Sequence, residues 1–274
     1  LQNLSTQRRL LVLGLASLTV ACDIQQEPVT MAFSGLKADL DKLAASRVLF
    51  AHQSVGRDII DGLRDLAKQD GVNLNITAID GDKPADGRGL FDFHVGKNGD
   101  TGSKIKHFED TLAARMANGF EVAVLKLCYE DVQKAVNPDP QKLIDTYAES
   151  VKRIRAAHPK TIIVHATSPL RSDPPGWKTA VKRVIGRDTW EDADNALRKT
   201  YNDAFRKRFA GAPLFDVAAV ESTKPDGSPS RFGKGDFTVP TLAQALTRDG
   251  GHLNELGKRV VAAAFAKSVA MALG

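Results

Sequence analysis

Apolar positions follow two rhythms that alternate along the chain. Short runs of aliphatic and β-branched residues read as strands: "SRVLFAHQS" (46–54), "LNITAID" (74–80), "EVAVLKLCY" (121–129), "TIIVHATSPL" (161–170) and "PLFDVAAV" (213–220). Between them, apolar residues recur at helical spacing over 55–70, 103–119, 140–159, 189–211 and 253–273. In the first of these helices Val55, Ile59, Ile60, Leu63, Leu66 and Ala67 share one face, and Pro159 ends the third. A short lead-in helix is expected in "GLKADLDKLAAS", a Gly-rich loop over 81–102 and an irregular basic segment over 171–187. Near-continuous apolar strands alternating with helices, without internal repeats, predict an α/β domain whose parallel sheet is covered on both faces. Ligands on such sheets sit beyond the carboxyl ends of the strands.

The first residues break this pattern. Arg8 and Arg9 precede the apolar run Leu10 to Ala21, and Cys22 follows "TVA". A basic start, an apolar stretch of about a dozen residues and small residues before the cut describe an export signal. The cysteine after that cut resembles a bacterial lipobox, with Thr19 standing where leucine is usual. An ordinary secretory signal is the alternative reading. The twin arginines fit a folded-export pattern only loosely at Gln7 and Leu11. The expected organisation is a signal peptide over 1–21, a tether and lead-in helix over 22–45, and one domain over 46–274. Cys22 would carry the lipid, making that anchor the only membrane contact. The mature protein would then sit in the bacterial cell envelope, lipid-anchored or periplasmic. Cys128 would be left as a lone thiol, best buried in an oxidising compartment.

The composition fits one sizeable domain: 274 residues, 42% hydrophobic. The formal charge of +5 is spread along the chain and only 6% of residues are aromatic. That pattern describes a solvated surface and argues against a nucleic-acid partner.

Candidate chemistry gathers at "FAHQSVG". Ser54 lies where the first strand hands over to the first helix of the domain. Its hydroxyl can enter the crevice, while the N–H groups of Ser54 and Val55 lie at the positive end of the helix, suited to an oxyanion. Gly56 admits a close neighbour. The plainer reading is an N-cap, although Arg57 stands where a capping box places Glu or Gln. A serine nucleophile needs a base and the base an orienter. "RDGGHLNELG" offers both: a turn at Gly250-Gly251 brings Asp249 against one nitrogen of His252 and leaves the other to face Ser54.

A serine after the first strand, an Asp-x-x-His before the last helix and five alternating strands resemble the SGNH (GDSL-type) hydrolase superfamily. "DGGHLNELG" is the most specific match, and the resemblance covers roughly residues 46 to 274. It implies a three-layer flavodoxin-like fold with helices on both faces of a parallel sheet, no metal or cofactor, and hydrolysis of an ester through an acyl-enzyme. Ser54 would be nucleophile and first oxyanion donor, His252 the base and Asp249 its orienter. The chain departs from the family in two blocks. His52-Gln53-Ser54 replaces Gly-Asp-Ser, and Cys128-Tyr129-Glu130-Asp131 replaces Gly-x-Asn-Asp, so the side-chain amide donor of that block is missing. Gly99 is the nearest match to the oxyanion glycine, with Gly96 and Asn98 as rivals. Asn98 is a candidate for the missing amide.

Other readings stay open. His52 and His165 sit near strand ends and are candidates to line the crevice; Glu130 and Asp131 are either substrate contacts or a solvated loop. "HQSVG" nearly fits the elbow of the α/β-hydrolases, with Asp216 as the acid, but that elbow follows a later strand. Cys128 ends an apolar strand and reads as core, and the histidines lack metal-ligand spacing. Two functions follow: a hydrolase removing an acyl group, such as acetyl, from an envelope glycan or a small ester; or a catalytically silent lipoprotein of this fold that binds glycan or a partner protein.

Overall fold

The computed structural model describes residues 33, 35–79, 86–114, 119–173, 181, 190–234 and 237–274. The expected signal, Cys22, the start of the tether and most of the basic segment lie outside them.

Six strands form one sheet: β1 (Arg47–His52), β2 (Ile76–Ala78), β3 (Gly89–His94), β4 (Val122–Leu125), β5 (Ile162–Ala166) and β6 (Leu214–Phe215). Their order is β2-β3-β1-β4-β5-β6 and every pairing is parallel. Residues of β1 alternate between two cores, as the two-residue period of a strand requires. Val48 and Phe50 join the core under helices α1 (Leu36–Ala45), α2 (Ser54–Gln69) and α7 (Glu255–Leu273). Leu49 and Ala51 join the core under α3 (Thr101–Ala114), α4 (Pro140–Ala157) and α5 (Trp190–Arg208). The predicted three-layer α/β architecture is therefore observed. All six apolar residues predicted to share a face of α2 are buried.

Two expectations are corrected. The segment read as a Gly-rich loop contains β3, which pairs with β1 from Arg47↔Gly89 to His52↔His94. Its apolar run is broken by Asp92, whose Oδ2 lies 3.1 Å from His52 Nε2 on β1 and 3.8 Å from Arg57 Nη2 on α2. The run over 213–220 is a strand for two residues only. Asp216 then caps helix α6 (Val217–Glu221) by accepting from Ala219 N, and the chain turns. An antiparallel hairpin, β7 (Arg231–Lys234) with β8 (Phe237–Pro240), stands apart from the main sheet.

From β1 the chain runs to β2 and β3 on one side and then crosses to β4 on the other, so β1 and β4 are neighbours with opposite onward paths. This is the switch point at which open α/β sheets bind ligands. The segment after β1 carries Ser54, and the segment after β4 carries Cys128 to Asp131.

Candidate active site

The N-cap of α2 is Gln53, not Ser54, and its side chain makes no capping bond. Ser54 is the first helical residue. The cap reading of Ser54 is corrected: the N–H groups of Ser54 and Val55 have no acceptor among the described residues, as the first turn of an uncapped helix leaves them. Instead, Gln53 donates through Nε2 to Val95 O (2.8 Å) and Gly96 O (3.0 Å), tying the helix start to the loop after β3. His52 lies inward, and its side chain takes the space a side chain at Gly56 would need: a Cβ there would run into His52 Cβ and Cγ and fall 2.5 Å from Nδ1. The histidine two before the serine and the glycine two after it are thus one packing unit.

The turn after Leu246 is built from its own side chains. Asp249 Oδ1 accepts from Gly251 N (2.9 Å) and His252 N (2.7 Å), and its Oδ2 lies 2.7 Å from His252 Nδ1. Thr247 Oγ1 accepts from Gly250 N and donates to His252 O. Gly250 takes a φ of 89°, and a Cβ there would run into the carbonyl of Ser172. Burial pushes the Asp249 carboxyl up, but the bonds from His252 and Gly251 outweigh it and hold it at about 2. An ionised Asp249 makes Nδ1 the protonated nitrogen and leaves Nε2 as the acceptor. Neither Nε2 nor the Ser54 hydroxyl makes a hydrogen bond to the described residues.

Asp58 joins the two parts. It lies four residues after Ser54, one turn and about 6 Å along the axis. Its Oδ2 accepts from Leu253 N at 3.0 Å, and its Oδ1 is 3.5 Å from Arg248 Nη1. The turn that carries His252 is thereby pinned to the first turns of α2. Sequence reading missed Asp58; its signal was a carboxylate inside an otherwise apolar helical face.

The segment after β4 packs against the same turn. The Tyr129 ring lies edge-on to His252, 6.3 Å between centroids, and a Cβ at Gly251 would come within 3.2 Å of the Tyr129 hydroxyl. Burial pushes that hydroxyl up to about 12, so it is a neutral donor at ordinary pH. The Arg171 guanidinium covers the Tyr129 ring at 4.9 Å and pairs with Glu191 at 2.7 Å.

Several expected crevice residues lie elsewhere. His52 is fully buried against Asp92, and burial lowers its pKa. His165 is fully buried between Tyr147 (Nδ1 to the hydroxyl, 3.0 Å) and the stacked Phe209 ring; burial lowers its pKa to about 4. Asp131 is fully buried as well. Its Oδ1 accepts from Gly99 N (3.0 Å), and its Oδ2 from Cys128 N (2.6 Å) and Lys104 Nζ (2.5 Å). None of these three faces the crevice. Glu130 is half-buried. Because Gly99 N is committed to Asp131, Gly99 is corrected as an oxyanion donor. Gly96 N is likewise taken, by His107 Nδ1. Asn98, half-buried, accepts through Oδ1 from Lys104 Nζ at 2.7 Å, and its Nδ2 makes no bond to the described residues. Cys128 is buried and free, as expected of a core thiol. Asp216, the acid of the α/β-hydrolase alternative, is bound to Arg206 (Nε to Oδ2, 2.7 Å) and caps α6, so His252 has Asp249 as its carboxylate instead.

No family model matches the chain, and no curated protein does. Its fold is similar to solved structures. One is a proposed platelet activating factor from Streptococcus pneumonia: TM-score 0.50, 13% identity, 88% of this chain and 91% of that one covered. Another is a lipase/acylhydrolase from Enterococcus faecalis (TM-score 0.49, 13% identity, 82% and 96% covered). A third is a carbohydrate acetylesterase family member from Sinorhizobium meliloti (TM-score 0.43, 12% identity, 83% and 99% covered). The fold that the sequence resemblance implied, a parallel sheet between two helical layers, is the fold of this chain and is shared with the first of these structures.

Proposed function

We propose that this protein is a serine hydrolase that cleaves an ester through an acyl-enzyme, with an O-acyl group on an envelope glycan or a small ester as substrate. The observation that carries the reading is the 2.7 Å contact of His252 Nδ1 with Asp249 in a turn pinned to α2 beside Ser54. In this mechanism His252 Nε2 takes the Ser54 proton as Oγ attacks the ester carbonyl. The tetrahedral oxyanion is met by the unpaired N–H groups at the start of α2 and by Asn98 Nδ2. Collapse expels the alcohol, which takes the proton from His252, and water then repeats the cycle on the acyl-Ser54. Asp249 stays ionised and holds the tautomer.

A fluorophosphonate and p-nitrophenyl acetate test this. Wild type is labelled at Ser54 and turns over the ester. Ser54→Ala loses labelling and turnover, and His252→Ala loses nearly as much because the two act as a unit. Asp249→Asn keeps the imidazole in the wrong tautomer and costs up to about 10⁴ in kcat. No labelling in wild type refutes the hydrolase.

A second reading, a silent binder of glycan or a partner protein, is favoured by one observation: Asp131 occupies the N–H of Gly99. It predicts no labelling and no turnover across a broad acyl panel. Under either reading the proposal includes export and a lipid on Cys22, supported by the Arg8-Arg9 start and "TVAC". Mass spectrometry of the mature N-terminus decides it: an unmodified Cys22 or a retained 1–21 removes the anchor.

A further inference from the structure

A carboxamide donates from one end only, and at Asn98 the surrounding charges choose which end. Lys104 is fully buried, and its ammonium bonds Asn98 Oδ1 (2.7 Å) and Asp131 Oδ2 (2.5 Å). An ammonium has donors and no acceptor, so the amide beside it must turn its oxygen inward and its N–H2 away. Asp131 keeps the ammonium in place. It is buried, is held by Gly99 N and Cys128 N, and its carbonyl accepts from Asn137 Nδ2 (2.8 Å). A Cβ at Gly96 would press on the Lys104 backbone, 2.6 Å from its N, so the loop lies directly against the helix that carries the lysine. The carbonyls of Val95 and of the same Gly96 are held by Gln53 at the start of α2. Asn98 therefore has its position set from the Ser54 side and its orientation set from the Lys104 side.

We infer that Lys104 is a positioning residue, anchored by Asp131, that orients the Asn98 amide as an oxyanion donor. The inference rests on the hydrolase reading above and adds to it the reason this chain works without an amide in the segment after β4. The position after β4 that carries the family's asparagine is Glu130 here, and the adjacent Asp131 serves to hold a cation for an amide on another loop.

The test is a double-mutant cycle on p-nitrophenyl acetate. Lys104→Met strands the Asp131 charge, so Lys104→Met/Asp131→Asn, which removes both charges, is made beside it. Each is combined with Asn98→Ala. Expected is a loss in kcat of about tenfold or more from the charge-free pair, with KM within about twofold, when Asn98 is present, and no further loss in the Asn98→Ala background. Asn98→Asp keeps an oxygen on Lys104 but no donor, and should lose as much kcat as Asn98→Ala. A positioning role predicts this pattern. Equal losses in both backgrounds, no loss at all, or an active Asn98→Asp overturns the inference while leaving Ser54 labelling intact. Failure of wild-type Ser54 to react with the fluorophosphonate overturns the hydrolase reading and this inference together.

Discussion

Ser54 is surrounded by residues that do not touch the reaction but decide its geometry. Gly56 exists for His52: the histidine Cβ and the near edge of its ring lie under the first turn of α2 and fill the place of a Cβ. Gly56→Ala should cost about 1–3 kcal/mol by overpacking and slow fluorophosphonate labelling. Pairing it with His52→Gly, which removes the crowding Cβ, should recover part of the labelling rate, whereas His52→Ala, which keeps that Cβ, should not. His165 makes a different prediction. It is buried with a pKa of about 4, against 6.5 when free. Above pH 6.5 the ring is neutral folded and unfolded, and its contribution to stability is whole. As pH falls from 6.5 to about 4 the unfolded chain takes up a proton that the folded chain refuses, so stability is lost across that window. The loss amounts to about 3 kcal/mol. Subtracting the pH–stability curve of His165→Gln from that of wild type should show this one-proton slope between those limits; a flat difference would contradict the assignment.

Among the elements, α2 is the one on which the site depends. It enters uncapped, which leaves its first donors open at the cost of helix stability. The compensation is packing: α2 lies along α7 so closely that a Cβ at Gly62 would fall 2.6 Å from the Lys258 carbonyl carbon. Asp58 adds the bond to Leu253 N. Asp58→Ala leaves that buried N–H without a partner and should destabilise by about 1–3 kcal/mol. Because the bond also sets where His252 stands relative to Ser54, kcat should fall more than the small change in folded fraction explains. Unchanged kcat with lowered stability would make Asp58 structural only.

In the molecule as a whole, the parallel sheet buries its central strands on both faces, and Cys128 with them. Native protein should therefore be inert to a thiol reagent at Cys128, and labelling should track the fraction unfolded in urea. Labelling in native buffer would mean that the segment after β4 opens locally. The same burial explains why much of this architecture was legible in the sequence. Runs buried on both faces are apolar throughout, and amphipathic helices carry their period openly. β3 was not legible, since Asp92 interrupts it and finds its partners, His52 and Arg57, on other elements; nor was the break at Asp216, where a capping carboxylate ends the strand.

The sequence by itself determined the alternation of strands and helices, the place of Ser54 at the end of the first strand and the local Asp249–His252 turn. Each depends on neighbours within a few residues, where periodicity and turn chemistry act. Only the tertiary structure decided which polar groups remain available to a substrate. Gly99 and Asn98 are adjacent in the chain, yet one has its N–H taken by Asp131 and the other has its oxygen taken by Lys104. His52 and His165, near strand ends in the sequence, turn into the core. Asp58 meets Leu253 across 195 residues. Hydrogen-bond capacity is spent on whatever partner the fold brings near, and that partner is not written in the local pattern.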